Sequence, residues 1–183
     1  MRDGRTWVGA VALLCAIVLG GCTPDPGVTP SPSPTVSSAS PVETDAERQE
    51  RLDYAAAEKA YRTFRAEFGR VMKAGGAKSP TMTMKQTAGG DYLAEFSEII
   101  QAYRGLGLKT VGDERIEYVR QAGYSATRVS LEVCEDSRLV QEVDSAGKSS
   151  PAGELRTALI EVRRVGGAWK LWSGEGKKVS TCE

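Results

Sequence analysis

Two hydrophobic periods divide the chain from residue 44 onward. Ala57, Tyr61, Phe64, Phe68 and Val71/Met72 recur at three- and four-residue steps, the apolar face of one long helix. Thr44-Asp45-Ala46-Glu47 ahead of it reads as a capping box, and Gly75-Gly76 ends it. After a loop with Pro80, a second helical pattern runs from about Gln86 to Arg104, with Leu93, Phe96, Ile99/Ile100 and Tyr103 on one side, and Gly105 and Gly107 stop it. From Lys109 the period drops to two. Arg115 to Arg120 alternates through Ile116 and Tyr118, with Gly123 marking a turn, and Val129, Leu131 and Val133 share one face of the next strand, which ends at Cys134. Leu139 to Val143 is a short strand closed by Asp144-Ser145-Ala146-Gly147. Leu155 to Val165 is β-rich, and Gly166-Gly167 is a two-residue hairpin signal leading into Ala168 to Ser173. Helices first and an antiparallel meander afterwards predict an α+β domain, N-terminal helices packed on a strongly curved antiparallel sheet.

The first 43 residues follow neither period. Arg2 and Arg5 precede an apolar run from Trp7 to Leu19, interrupted only by Gly9. Thirteen helical residues reach about 20 Å, short of a hydrocarbon core of about 30 Å, so the run reads as a secretory h-region and not as a membrane span. It ends in Leu19-Gly20-Gly21-Cys22, which resembles the bacterial lipobox. That resemblance implies a signal peptide over 1–21, removed just before Cys22, and a diacylglycerol thioether with further acylation, such as palmitate, on the new N-terminal Cys22. Two or three acyl chains hold a protein at a bilayer where one holds only marginally. The expected location is therefore extracytoplasmic, at the cell membrane, with the membrane itself as one partner.

Residues 23–43 hold six of the eight prolines, five serines and three threonines. Such a segment cannot bury enough apolar surface to offset the entropy of ordering, which predicts a tether over 22–43, and the folded domain over 44–183. Its Ser/Thr residues are open to O-glycosylation, whereas the absence of asparagine removes every N-glycosylation acceptor.

Composition narrows the chemistry. Lys+Arg and Asp+Glu balance at 24 each, which gives no basic field for nucleic acid. The chain has no histidine, so Ser-His and Cys-His nucleophile pairs and His-containing metal sites are excluded. Of four cysteines, Cys15 leaves with the signal peptide and Cys22 takes the lipid. Cys134 and Cys182 remain, and in an oxidising compartment two leftover thiols form a disulfide. The alternatives are weaker: two thiols without histidine make a poor zinc site, and no Cys-x-x-Cys redox motif is present. Neither metal nor cofactor is expected.

Three stretches resemble secreted actinobacterial lipoproteins with a nuclear-transport-factor-2-like (cystatin-like) domain. They are Leu106-Gly107-Leu108-Lys109-Thr110-Val111-Gly112, Cys134-Glu135-Asp136-Ser137 with Val143-Asp144-Ser145-Ala146-Gly147-Lys148, and Gly167-Ala168-Trp169-Lys170-Leu171 with the late Cys182. The resemblance covers about Thr44 to Glu183 and implies a cone, a bent sheet wrapped round the first helix, in which some relatives place catalytic Asp and Tyr. Carboxylates on offer are Asp91, Asp113, Glu117, Glu132 and Glu161. The phenols are Tyr54, Tyr61, Tyr103, Tyr118 and Tyr124, and nothing in their spacing selects an acid–base pair.

Tyr61, Phe64, Phe68, Tyr118 and Trp169 are the candidate cone-lining residues, with Leu159 also on the opposing wall. The helix aromatics fill space, which predicts a small or closed pocket and a non-catalytic module. Such a module would bind an envelope protein or polymer through its exposed sheet face and the Met72–Met84 loop. The alternatives are a carrier or sensor of a small apolar ligand in the cone and, last, a histidine-independent isomerase or hydrolase.

Overall fold

A computed structural model describes residues 42–150 and 153–183. The proposed signal peptide, Cys22 and most of the tether lie outside the described residues. The helices are α1 (Asp45–Lys73), α2 (Met82–Thr87) and α3 (Gly90–Leu106), and the strands β1 (Lys109–Val111), β2 (Arg115–Ser125), β3 (Arg128–Asp136), β4 (Gln141–Val143), β5 (Leu155–Val165) and β6 (Ala168–Lys178).

The capping box forms as read: the Thr44 hydroxyl accepts from Glu47 N–H at 3.2 Å and Glu47 accepts from Thr44 N–H at 2.7 Å. Ala57, Tyr61 and Phe64 are fully buried along the predicted stripe. The second helical pattern is corrected at its start. A separate α2 is capped by Thr81, whose hydroxyl accepts from Met84 N–H, and the Ala88–Gly89 corner divides it from α3. Of the methionines at this corner, Met72 and Met84 are core, and only Met82 is largely exposed.

The main sheet is antiparallel in the order β2-β3-β5-β6, and a separate two-stranded sheet pairs β1 with β4. β2 and β6 are edges, so the sheet is open and not a closed barrel. Two expected strand ends are corrected: β2 runs on through Gly123 to Ser125, and β6 runs on to Lys178. Three bulges explain both the extra length and the bend. β2 skips pairing at Glu117 and again at Ala122, and β6 skips at Trp172. Each inserts one residue, which bends the strand and flips the side chains beyond it to the other face.

The inner face consequently reads as rows across the sheet. One row is Tyr124, Val129, Val162 and Leu171; the next is Gln121, Leu131, Ile160 and Gly174; the third is Val119, Val133, Ala158 and Gly176. Side chains shrink toward β6 in the second and third rows. The first row closes the core under α1, while the glycine ends leave room beneath the helices.

Cys134 on β3 and Cys182 in the C-terminal tail are joined, with Cα atoms 5.9 Å apart. Among the described residues no helix is long and apolar enough to cross a membrane.

Candidate functional site

The space left by the shrinking rows is a cavity of about 840 Å³ between the C-terminal half of α1, α3 and the inner face of the sheet. Ligand sites are commonly about 300–1,000 Å³. The expectation of a small or closed pocket is therefore overturned. Phe64 is buried in an aromatic cluster with Tyr92 and Phe96, ring centroids 5.1 Å away in each case, and does not line the cavity. The wall itself is made by Phe68, Phe96, Ile99 and Ile160. The aromatic residues form one side of the space without filling it, because Ala158, Gly174 and Gly176 stand opposite. A Cβ on Gly174 would lie 2.7 Å from Ile160 Cδ1 and 3.4 Å from the Tyr92 ring.

At the floor, Arg65 reaches in from α1. Its guanidinium lies 5.4 Å from the Phe68 ring centroid and 5.5 Å from that of Phe96. Its Nη2 donates to both oxygens of Glu114, the longer contact being 2.7 Å. Its Nε is 3.0 Å from Glu135 Oε1 without the alignment of a hydrogen bond, so that contact is charge attraction. The Tyr61 hydroxyl donates to the same Glu135 oxygen. Burial works against the Arg65 charge, but Glu135 and Glu114 outweigh it and hold the guanidinium above its ordinary pKa. Burial pushes the Glu114 carboxyl up, with Arg65 opposing and Glu135 adding to the rise. Burial and then Glu135 push the Tyr61 phenol up, so it stays a donor.

The remaining cations on the wall are engaged. Arg62 pairs with Glu58 at 2.7 Å, Arg70 with Glu67 at 2.7 Å, Lys73 with Asp113, and Arg156 with Glu154 at 3.6 Å. A carboxyl inclined to keep its proton beside a second carboxylate fixed by a phenol and a guanidinium is an arrangement suited to orienting a polar head or to acid–base work. Among the described residues, no three His, Cys, Asp or Glu side chains are grouped to hold a metal ion.

The expected lining residues divide. Phe68 lines the cavity, and Tyr61 supports its floor through Glu135. Tyr118 is a correction: the bulge at Glu117 turns it to the outer face, where its hydroxyl donates to Glu132 at 3.2 Å and Arg120 stacks on its ring. Leu159 is corrected likewise, 53% exposed on that outer face opposite Glu132. Trp169 is core at the far end, where its indole N–H donates to Asp53 at 3.2 Å, and is not a wall residue. Of the expected carboxylates and phenols, only Asp113 and Tyr103 line the cavity; Asp91, Glu117, Glu132, Glu161, Tyr54, Tyr61, Tyr118 and Tyr124 do not.

Sequence reasoning missed Arg65, Glu114 and Glu135. Arg65 stands four residues after Tyr61 and three before Phe68, inside the apolar stripe, and that position was its signal. Glu135 continues the inward series Val129, Leu131, Val133 by two. Glu114 precedes the first strand of the main sheet and carried no signal.

No family model and no curated protein matches the chain significantly. Solved structures do. The intermembrane space region of the chloroplast protein ARC6 matches with a TM-score of 0.52 at 18% identity, covering 69% of this chain and 98% of that one. A ketosteroid isomerase-like protein from Erwinia carotovora atroseptica matches at 0.41 and 17%, covering 70% and 98%. An NTF2-like protein with a cystatin-like fold from Novosphingobium aromaticivorans matches at 0.41 and 12%, covering 76% and 93%. The chain is an α+β domain that shares its fold with the ARC6 region and resembles nuclear-transport-factor-2-like, or cystatin-like, structures, with a cavity between its helices and sheet. Identities this low establish the fold and leave the function to the site.

Proposed function

We propose that the protein is a membrane-anchored extracytoplasmic lipoprotein whose cone captures a small, largely apolar ligand without chemical conversion. The cavity carries this reading. It has one wall of aromatic and aliphatic side chains and one cluster of converging polar groups, the composition by which proteins bind and orient small ligands. Docking of an envelope protein on the sheet's outer face, the reading that a closed cone favoured, loses its main argument once the cone is open. Support for the anchor comes from the sequence alone, in the run ending at Cys22.

The test uses the full chain and N-phenylnaphthylamine, a neutral apolar dye that brightens in dry surroundings. Saturable binding at one site, weakened by Ala158→Leu at the cavity wall with the fold intact by circular dichroism, is the expected result. No saturable binding, or binding indifferent to that substitution, overturns the carrier. The anchor is tested separately. Cys22→Ala is expected to release the protein from the membrane fraction or leave an uncleaved precursor, and unchanged attachment and mass overturn it.

A further inference from the structure

Charge is unevenly balanced around the cavity. Arg62, Arg70 and Lys73 each have a carboxylate partner of their own. At the floor the ratio reverses, and two carboxylates, Glu114 and Glu135, share the single guanidinium of Arg65. The side chains of Arg65, Glu114 and Glu135 are only 10%, 23% and 14% exposed, so solvent screens this imbalance poorly. Tyr61 donates a hydrogen bond to Glu135 but adds no charge. An anionic head would meet this surplus and find no unengaged cation among Arg62, Arg70 and Lys73 to receive it. A cationic head would meet one negative charge in excess, with the Phe68, Phe96 and Ile99 wall beside it for an apolar body.

Resting on the carrier reading, we propose that the ligand is an organic cation, an amine or ammonium group on an apolar body, with its charge held between Glu114 and Glu135. The charge balance also predicts a linked proton. Burial raises Glu114, so on acidification it takes up a proton earlier than an exposed carboxyl does, and a ligand cation opposes that uptake. The groups facing Glu114 are Arg65 from α1, Tyr92 from α3, Glu135 from β3 and Arg156 from β5, while β6 offers Gly174 and Gly176 there. Arg156 is 3.6 Å from Glu154, which Lys178 approaches more closely at 3.4 Å, but its side chain is half-exposed, so solvent screens its charge from the buried carboxylates. Within the pH range where Glu114 titrates, binding of the cation therefore releases protons, and affinity falls on acidification through that range.

The experiment compares three ligands of one shape on the full chain by calorimetry: phenylbutylamine, phenylbutanol and phenylbutyrate. The amine is expected to bind at least about tenfold tighter than the alcohol, and the carboxylate weakest, since one uncompensated charge at low screening outweighs a factor of ten. Repeating the amine titration at acidic pH, within the carboxylate range, in two buffers of different ionisation enthalpy is expected to show proton release. Glu114→Gln is expected to abolish both that release and the preference for the amine over phenylbutanol. Alcohol or carboxylate binding as tight as the amine overturns the cation assignment and leaves the cavity reading standing. Proton release unchanged in Glu114→Gln overturns the assigned position. Absence of binding by all three overturns the cation and the carrier together.

Discussion

Asp53 is 4% exposed at the end of the core away from the cavity, and it accepts from Tyr124 at 3.0 Å, Gln49 at 3.0 Å and Trp169 at 3.2 Å. It joins α1, β2 and β6, and its position four residues before Ala57 extends the apolar stripe by one step. That spacing was the only trace of it in the sequence, because a carboxylate on a charge-rich helix also reads as part of a solvated face. Asp53→Ala leaves a buried indole N–H and a phenol without an acceptor, which is expected to cost about 2–3 kcal/mol in urea unfolding. A loss below about 0.5 kcal/mol would mean that the three donors find other partners. Asp136 gives a pH prediction of definite sign. Arg138 and Arg115 hydrogen bond its carboxylate at 2.8 and 2.9 Å and hold its pKa below the ordinary value, with burial opposing. A carboxyl depressed in the folded state adds stability that is present above the unfolded-state pKa and is lost as pH falls through the range between the two values. Thermal scans from neutral pH downward should show Asp136→Asn with a flatter acid limb than the wild type. Parallel curves would remove Asp136 from the acid response.

Between elements, the long helix and the 155–165 strand with its 166–167 hairpin were legible from their own local patterns, whereas the expected meander lost its 139–143 strand to a separate pairing with β1. The bulges were not, since an inserted residue leaves both flanking stretches alternating and only their relative phase changes. Tyr118 and Leu159 were misplaced in two different ways. For Tyr118 the phase came from Ile116 across the bulge. For Leu159, on a regularly alternating strand flanked by Ala158 and Ile160, hydrophobicity alone did not pick the face. The same blind spot concealed the cavity, which depends on Gly174 and Gly176 reaching the inner face after Trp172 drops out of register. Trp172 also fixes the corner between α2 and α3. Gly89 N–H donates to Leu171 O at 2.8 Å, and Gly90, at φ 54°, lies where a Cβ would come within 2.7 Å of the Trp172 ring. Gly90→Ala combines a left-handed backbone with that clash, and a cost of about 1–3 kcal/mol is expected, read as a lower urea midpoint. An unchanged midpoint would show that the indole moves aside freely.

Across the whole molecule, the disulfide and the cavity occupy opposite faces of β3. Cys134 follows Val133 and precedes Glu135, so its sulfur leaves on the outer side while the Glu135 carboxylate faces the cone. The bridge pins the tail beyond β6, whose Val179 N–H donates to Leu155 O at 3.0 Å, back onto the middle of the sheet. Closing a loop with a sequence separation of 48 removes unfolded-state freedom worth about 4 kcal/mol in the chain-entropy model, the upper end of what such a bridge contributes. Reduction is therefore expected to lower stability sharply with little effect on the pocket. Under mild reductant, below the unfolding transition, dye affinity for the cone should stay within about twofold, a change of under 0.5 kcal/mol. The urea midpoint of the same sample should fall. Thiol labelling of the untreated mature protein should find neither Cys134 nor Cys182 free. Two readily labelled thiols in the native protein would refute the bridge, and dye affinity collapsing with reduction while the fold persists would refute the separation of the two faces.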